Sequence, residues 1–200
     1  MLRRLFALSV LLLVALAPAA LSSPALAANV KIRVEGKTTT IFGAAHPRVT
    51  ADNALQALDA ASTMGEFYYG MTTSSFGDYV SQIGKYPASE STGWVFKVNG
   101  VSPPVGADKV TLKDGDTVLW YYATFGPAGG PPTLELQRLP ANCYVVQSVT
   151  DAGKRTRSAN AMLVADGKRF KTKNGRACIG KHAGLVRATA PGAIRSNAQQ

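Results

Sequence analysis

The stretch at residues 93–116, GWVFKVNGVSPPVGADKVTLKDGD, decides how this chain folds. Trp94, Phe96 and Val98 would lie on one face of a strand, and Val95 and Lys97 on the other. This alternation is the two-residue period of a β-strand. Asn99-Gly100 predicts a tight turn because both residues tolerate positive φ. A short strand at 110–112 and a second turn at 114–116, DGD, follow. The stretch is therefore interpreted as strands and turns of a small β-sheet.

The segments on either side fit the same sheet. Residues 30–34, VKIRV, alternate like a half-buried strand, and residues 38–42, TTTIF, predict a second strand. An amphipathic helix of about four turns follows, with Thr50 expected to cap its first N–H groups and Gly65 expected to end it. Residues 67–86 predict short strands, and the closing strand comes at residues 118–122. This order predicts an antiparallel or mixed sheet with the helix packed on one face.

Three segments of this region resemble a known family. They are GDYVSQIG at 77–84, GWVFKVNG at 93–100 and LKDGD at 112–116, the last followed by Val118 and Trp120. Together they resemble the transcobalamin-like C-terminal domain, found in bacterial exported proteins of mostly undefined function. The resemblance covers residues 29–124 and implies a β-grasp fold, in which a curved sheet holds one helix. It also implies cobalamin or a related corrinoid as a candidate ligand, although that family encloses its cofactor with a separate helical domain.

A second domain is predicted after a Gly/Pro-rich linker that contains GPAGGPPT. Asp166-Gly167 and Asn174-Gly175 are hairpin signals between short β-prone runs. Those runs lie at residues 144–149, 161–165, 169–172, 176–180 and 185–190. The region 134–196 loosely resembles the small β-sandwich modules similar to the carboxypeptidase regulatory domain, which are usually structural or interaction units.

The predicted fold class is therefore α+β, with a β-grasp domain followed by a small all-β, sandwich-like domain. The expected boundaries are 1–27 for a signal peptide, 28–124 for the β-grasp domain, 125–133 for the linker, 134–196 for the basic sandwich-like domain and 197–200 for a tail. Arg3-Arg4, an apolar run and the small residues at 25–27 indicate the signal peptide. An uncleaved anchor is the alternative, but the apolar run is shorter than the ~20 residues that span a bilayer. The arginine pair leaves the twin-arginine export route open.

Positive charge is concentrated in the second half. Residues 28–137 hold 8 basic and 10 acidic side chains, whereas residues 138–200 hold 12 basic and 2 acidic ones. Clustered Lys and Arg attract polyanions, so anionic cell-wall or envelope polymers are the expected partners. Solubility alone is the open alternative. Nucleic acid is not expected, because no recognition motif accompanies the charge.

Two cysteines, Cys143 and Cys178, are the only ones in the chain. In an exported protein an even count favours a disulfide, which would brace a small domain. A catalytic thiol is the competing interpretation, and no nucleophile motif surrounds either cysteine.

No catalytic or metal-binding residue is predicted. Asp114 and Asp116 are two potential Ca²⁺ ligands, but the six to eight oxygens of such a site are not available nearby, so turn hydrogen bonds are favoured. His46 and His182 fall in different predicted domains and do not complete a zinc site. No GxSxG motif presents a nucleophile. The chain is therefore expected not to be an enzyme and to need no cofactor, with cobalamin as the one candidate.

Aromatic side chains are the candidate ligand contacts in the first domain, because rings with polar edges suit small amphipathic or flat ligands. Trp94 and Trp120 lie in alternating strands and are expected in the core. For the tyrosines, core and ligand roles are both open, and the tentative ligand-binding residues are Tyr68, Tyr69, Tyr79 and Tyr121.

These features favour a secreted, non-enzymatic ligand-binding or cell-surface interaction protein. Its basic C-terminal module would contact anionic envelope material, and no membrane span is expected after signal cleavage. The alternative is a cobalamin- or corrinoid-binding protein.

Overall fold

The computed structural model describes residues 27–74, 77–127 and 129–200. Except for Ala27, the predicted signal peptide lies outside these residues. In the first half the elements are β1 (Ala28–Glu35), β2 (Thr40–Phe42), β3 (Arg48–Ala51), α1 (Ala54–Gly65), β4 (Tyr69–Ser74), β5 (Gly77–Ile83), β6 (Tyr86–Pro87), β7 (Thr92–Val98) and β8 (Thr117–Thr124). In the second half they are β9 (Thr133–Leu139), the 3-10 helix η1 (Pro140–Asn142), β10 (Cys143–Val149), β11 (Arg155–Arg157), β12 (Met162–Ala165), β13 (Lys168–Lys171), β14 (Arg176–Cys178) and β15 (Arg187–Thr189).

The central sheet of the first half is mixed. Its strands follow the order β2-β1-β8-β7, and β3 also pairs with β1. Strands β1 and β8 run parallel, with Ile32 opposite Val118, while the other pairs are antiparallel. The apolar face of this sheet packs against α1, and their side chains form one buried core that includes Leu58, Trp94 and Trp120. The expectation that both tryptophans lie in the core is confirmed.

The N-cap of helix α1 lies three residues later than the sequence predicts. Thr50 lies in β3, and the side chain of Asn53 caps the helix by accepting a hydrogen bond from the Gln56 N–H at 2.9 Å. An asparagine oxygen at this position satisfies a backbone N–H that has no partner inside the helix. The predicted end at Gly65 is confirmed, because Gly65 is the last helical residue and Glu66 follows in the left-handed conformation.

The two turns of residues 93–116 form where the sequence places them. Asn99 and Gly100 have φ angles of 53° and 86°, and Val98 and Val101 exchange backbone hydrogen bonds across them. Gly115 has a φ of 87° between two aspartates. The strand predicted at residues 110–112 is wrong: this segment makes a single β-bridge, between Thr111 and Asn53. Leu112 is buried there without belonging to a ladder.

Two small sheets share a second core in the C-terminal half. One has the order β11-β10-β14 with β9 also on β10, and the other has the order β13-β12-β15. Leu134, Tyr144, Leu163 and Val186 are fully buried between them. Strands β9 and β11 were not predicted, whereas each of the five predicted runs contains a strand. The hairpin signal at 166–167 is confirmed, because β12 and β13 pair across it. At 174–175 a tight turn forms with positive φ angles, but β13 and β14 belong to different sheets, so the hairpin predicted there is wrong.

The predicted fold class, α+β with a β-grasp domain ahead of a small all-β domain, is wrong. Strands and isolated β-bridges account for 51% of the described residues and helices for 9%, and the strands form several small sheets in a β-sandwich-like arrangement. The prediction placed the helix on one face of the first sheet and assigned no element to the other face. Instead, Leu119, Tyr121 and Ala123 on that face are buried, and they pack with Ile194 of the C-terminal half.

A disulfide joins Cys143 and Cys178, as the sequence predicts. The two cysteines lie opposite each other on β10 and β14, so the bond links neighbouring strands of one sheet. Neither cysteine is a free thiol. Among the described helices, none is long and apolar enough to cross a membrane.

Candidate functional site

Exposed positive charge in the C-terminal half is concentrated from β13 to β14, with one further arginine on β11. Six exposed side chains carry it, and we call them the basic strip: Arg157, Lys168, Arg169, Lys171, Lys173 and Arg176. Strand β13 places Arg169 and Lys171 on one face, opposite Val164 and Met162 of β12. Since residues two apart on a strand are separated by about 6.6 Å, these two charges form a short row.

The turn at Asn174-Gly175 brings the strip onto the edge of the next sheet. Arg176 of β14 lies opposite Val145, and Arg157 of β11 lies opposite Gln147. Because Val145 and Gln147 are two residues apart on the same strand, both arginines lie on one face, about 7 Å apart along the sheet. That face points away from the core shared by the two C-terminal sheets, as does the face of β13 that carries Arg169 and Lys171, so the strip has members on both outer faces of the C-terminal half.

None of the six strip residues forms an ion pair with any carboxylate in the described part of the chain. Other arginines of the same half are paired: Arg155 with Glu135 at 2.9 Å, and Arg187 and Arg195 with Glu35. The charges of the strip are therefore available to an external anion.

A buried ionic cluster joins the two halves. The carboxylate of Glu35, which is 0% exposed, accepts hydrogen bonds from Arg33 at 3.1 Å, from Arg195 at 2.9 Å and from Arg187. Thr40 donates a further hydrogen bond at 3.0 Å. Three guanidinium groups thus share one carboxylate, which leaves the cluster with a surplus of positive charge.

Lys97 makes a second buried contact between the halves. Its side chain is 0% exposed, and its Nζ donates to the carbonyl oxygens of Val149 and Thr150, each at 3.1 Å. The Asp151 carboxylate lies 3.2 Å away. Burial lowers the pKa of Lys97, and hydrogen bonding and attraction to Asp151 oppose that shift. The alternation of side chains predicts Lys97 on the face of its strand opposite Trp94 and Phe96. No local pattern indicates that a distant part of the chain covers this side chain.

The structure does not bring the four predicted tyrosines together. Tyr68 is 66% exposed, and Tyr69 donates a hydrogen bond to Asp59 at 3.0 Å. Tyr79 is exposed and lines a small pocket of about 130 Å³. Tyr121 lies on the face of the central sheet that points away from α1. Its side chain is 1% exposed, and its hydroxyl donates a hydrogen bond to Asp151 at 3.4 Å. Burial raises the pKa of Tyr121. The ligand role of these residues stays a prediction.

The aspartates of the second turn bond the main chain, as the structural interpretation of this turn predicts. Asp114 accepts from the N–H of Asn29 at 2.7 Å, and Asp116 accepts from the N–H of Lys113 at 2.8 Å. His182 is held by Tyr144, with 2.7 Å between Nε2 and the hydroxyl oxygen. Within the described ranges, no three or more His, Cys, Asp and Glu residues group as metal ligands.

Comparison with known proteins identifies one family. Residues 49–124 match a domain of unknown function, DUF4430. The match covers most of the first half, from β3 to β8, and less than half of the chain. It names neither the transcobalamin-like family nor the carboxypeptidase-regulatory family. No curated protein matches the chain.

Proposed function

We propose that this chain is a secreted, non-enzymatic protein that binds anionic polymers of the cell envelope through the basic strip. The single observation that carries the proposal is the presence of six exposed cations on β11, on β13, on β14 and in the turn before β14, none of which forms an ion pair with a described carboxylate. Rows of unpaired charge attract a polyanion through their summed field, and paired charges contribute little to that field. The disulfide supports an oxidising compartment, where such polymers are found.

A salt-dependent retention experiment tests the proposal. The purified protein is incubated with isolated cell wall and sedimented at rising salt concentrations. We expect retention at low salt that decreases as salt rises, because screening weakens contacts between exposed charges. Absence of retention at low salt would contradict the proposal.

A matched pair of variants separates the strip from net charge. The variant R157Q/K171Q/R176Q removes three charges from the strip, and K37Q/K85Q/K113Q removes three exposed charges from the first half. The first should lose most of the retention and the second should keep it. Equal loss in both would mean that overall charge, rather than the strip, governs binding. Retention that neither variant changes would assign the strip to solubility alone.

Corrinoid binding rests on the resemblance of residues 77–116 to the transcobalamin-like domain. Tyr79 lines two pockets, of about 130 Å³ and about 350 Å³, whereas small-molecule sites typically measure roughly 300–1,000 Å³. Titration with cobalamin, followed by its absorbance and by the melting temperature, tests this alternative. An unchanged signal at millimolar cobalamin would exclude it.

A further inference from the structure

A polar cleft of about 390 Å³ lies between the two halves. One wall is the outer face of the central sheet, with Arg33, Lys97 and Leu119. The facing wall is the sheet of β9, β10 and β11, with Gln147 and Arg155. The volume falls in the range of pockets that hold small organic ligands.

Two buried polar atoms of the cleft-lining residues have no hydrogen-bond partner: Nε of Arg33 and Nε2 of His46. Arg33 is only 3% exposed. Buried donors without partners are rare because each one loses its bonds to water and gains nothing in return. A ligand in the cleft would provide the missing acceptor.

The charge around Arg33 also favours an anionic ligand. Arg33 belongs to the cluster in which three arginines share Glu35, and so two positive charges have no counter-charge there. Lys97 and Arg155 also line the cleft, but they are neutralised by Asp151 and Glu135. The surplus charge therefore lies at the Arg33 end of the cleft, where an anion would be stabilised.

The remaining lining suits an organic molecule rather than a bare ion. The side-chain amides of Gln137 and Gln147 make no hydrogen bond in the described structure, so both are free to bind hydroxyl groups. Leu119 adds apolar surface. Amides beside apolar surface match a carbon skeleton that carries hydroxyls.

We propose that the cleft binds a small, hydroxyl-rich organic anion whose carboxylate or phosphate group is held by Arg33. The Nε–H of Arg33 donates to an oxygen of the anionic group, and the glutamine amides bind hydroxyls further along the cleft. The imidazole of His46 supplies a second polar contact beside the anion. This site is distinct from the basic strip, which contains none of these residues.

The protonation state of His46 fits the presence of an anion in the cleft. Burial is the main cause that lowers its pKa to about 4, and the positive charges of Arg33, Lys31 and Arg187 lower it further. The imidazole is therefore neutral at pH 7, and it already senses a positive field that an anion would offset.

Calorimetric titration of the purified protein tests the site with three probes: glucuronate, glucose 6-phosphate and neutral glucose. The two anions distinguish a carboxylate from a phosphate as the preferred group. We expect at least one of them to bind at least tenfold more tightly than glucose, because charge-assisted hydrogen bonds are the stronger ones. The NMR signal of the Arg33 Nε–H should move on addition of the same anion. No binding by either anion, or no movement of that signal, would overturn the proposal.

A blocking variant locates the binding without touching the buried arginine. In Gln147→Trp the indole occupies the cleft, and no existing hydrogen bond of the amide is lost. Thr156→Trp is the matched control, because Thr156 is exposed on β11 and pairs with Ser148, whose side chain points away from the cleft. We expect the first variant to weaken anion binding about tenfold or more and the second to leave it unchanged.

The strip variant K168Q/K171Q/K173Q, which keeps Arg157 opposite Gln147, should bind the small anion as tightly as the original protein does. Loss of binding in this variant, or equal binding in Gln147→Trp and the original protein, would assign the anion to the basic strip and overturn the cleft site.

Discussion

Replacing Glu35 with glutamine is the sharpest test of how the two halves are held together. The change keeps the size of the side chain and removes the carboxylate that Arg33, Arg187 and Arg195 share. Breaking a buried ion pair by removing one partner costs about 3–5 kcal/mol, because the other charge stays buried without compensation. Arg33 is 3% exposed and takes the full penalty, whereas Arg187 and Arg195, each 20% exposed, recover part of their hydration.

Urea unfolding at pH 7 measures this loss. With an m value of about 2 kcal/mol per molar, the unfolding midpoint should fall by about 2 M. Glu90→Gln is the matched control, because Glu90 is exposed and makes no ion pair with any described residue; its midpoint should change by less than about 0.3 M. If Glu35→Gln lowered the stability by less than about 1 kcal/mol, the cluster would not hold the halves together.

Three further predictions concern stability. Replacing both Cys143 and Cys178 with serine should lower the unfolding free energy by about 4 kcal/mol, since the disulfide closes a loop of sequence separation 35; an unchanged melting temperature would contradict this. Lys97→Met should lower the free energy of unfolding, measured in urea, by about 3 kcal/mol, because the carbonyl oxygens of Val149 and Thr150 lose their hydrogen-bond donor. An unchanged free energy would mean that water replaces the donor. The folded pKa of His46 is about 4, against 6.5 when unfolded. Stability should therefore fall by about 2.5 kcal/mol between pH 7 and pH 4.5 through this group, and His46→Asn should remove that part of the loss.

Features fixed by neighbouring residues could be predicted from the sequence. Asn99-Gly100 and Asn174-Gly175 form tight turns because their own backbone preferences suffice. The strand of Trp94 and the end of α1 at Gly65 follow equally from local periodicity and a local stop. The disulfide followed from the even cysteine count.

Features that depend on distant contacts could not be predicted. Strand β11 is Arg-Thr-Arg, fully exposed, and it is a strand only because β10 pairs with it. Lys97 is buried by residues more than 30 positions away in sequence. Strand β9 did carry a signal, because Leu134 and Leu136 alternate with polar residues, but its position beside the prolines at 131–132 hid it.

One of the two candidate sites could be predicted from the sequence, and the other could not. Charge counting located the basic strip in the correct half, because Lys and Arg outnumber acids there whatever the fold. The cleft could not be found, since Arg33 and Gln147 meet only when the two sheets face each other. The fold class failed for the same reason: the second face of the central sheet is covered by a segment far along the chain.

The salt dependence of binding to linear polyphosphate tests the role of the basic strip most directly. The slope of log affinity against log salt reports how many ionic contacts form. R157Q/K171Q/R176Q should bind more weakly and with a slope shallower by about two to three, while K37Q/K85Q/K113Q should keep the original slope. Identical slopes in the original protein and the strip variant would contradict the account.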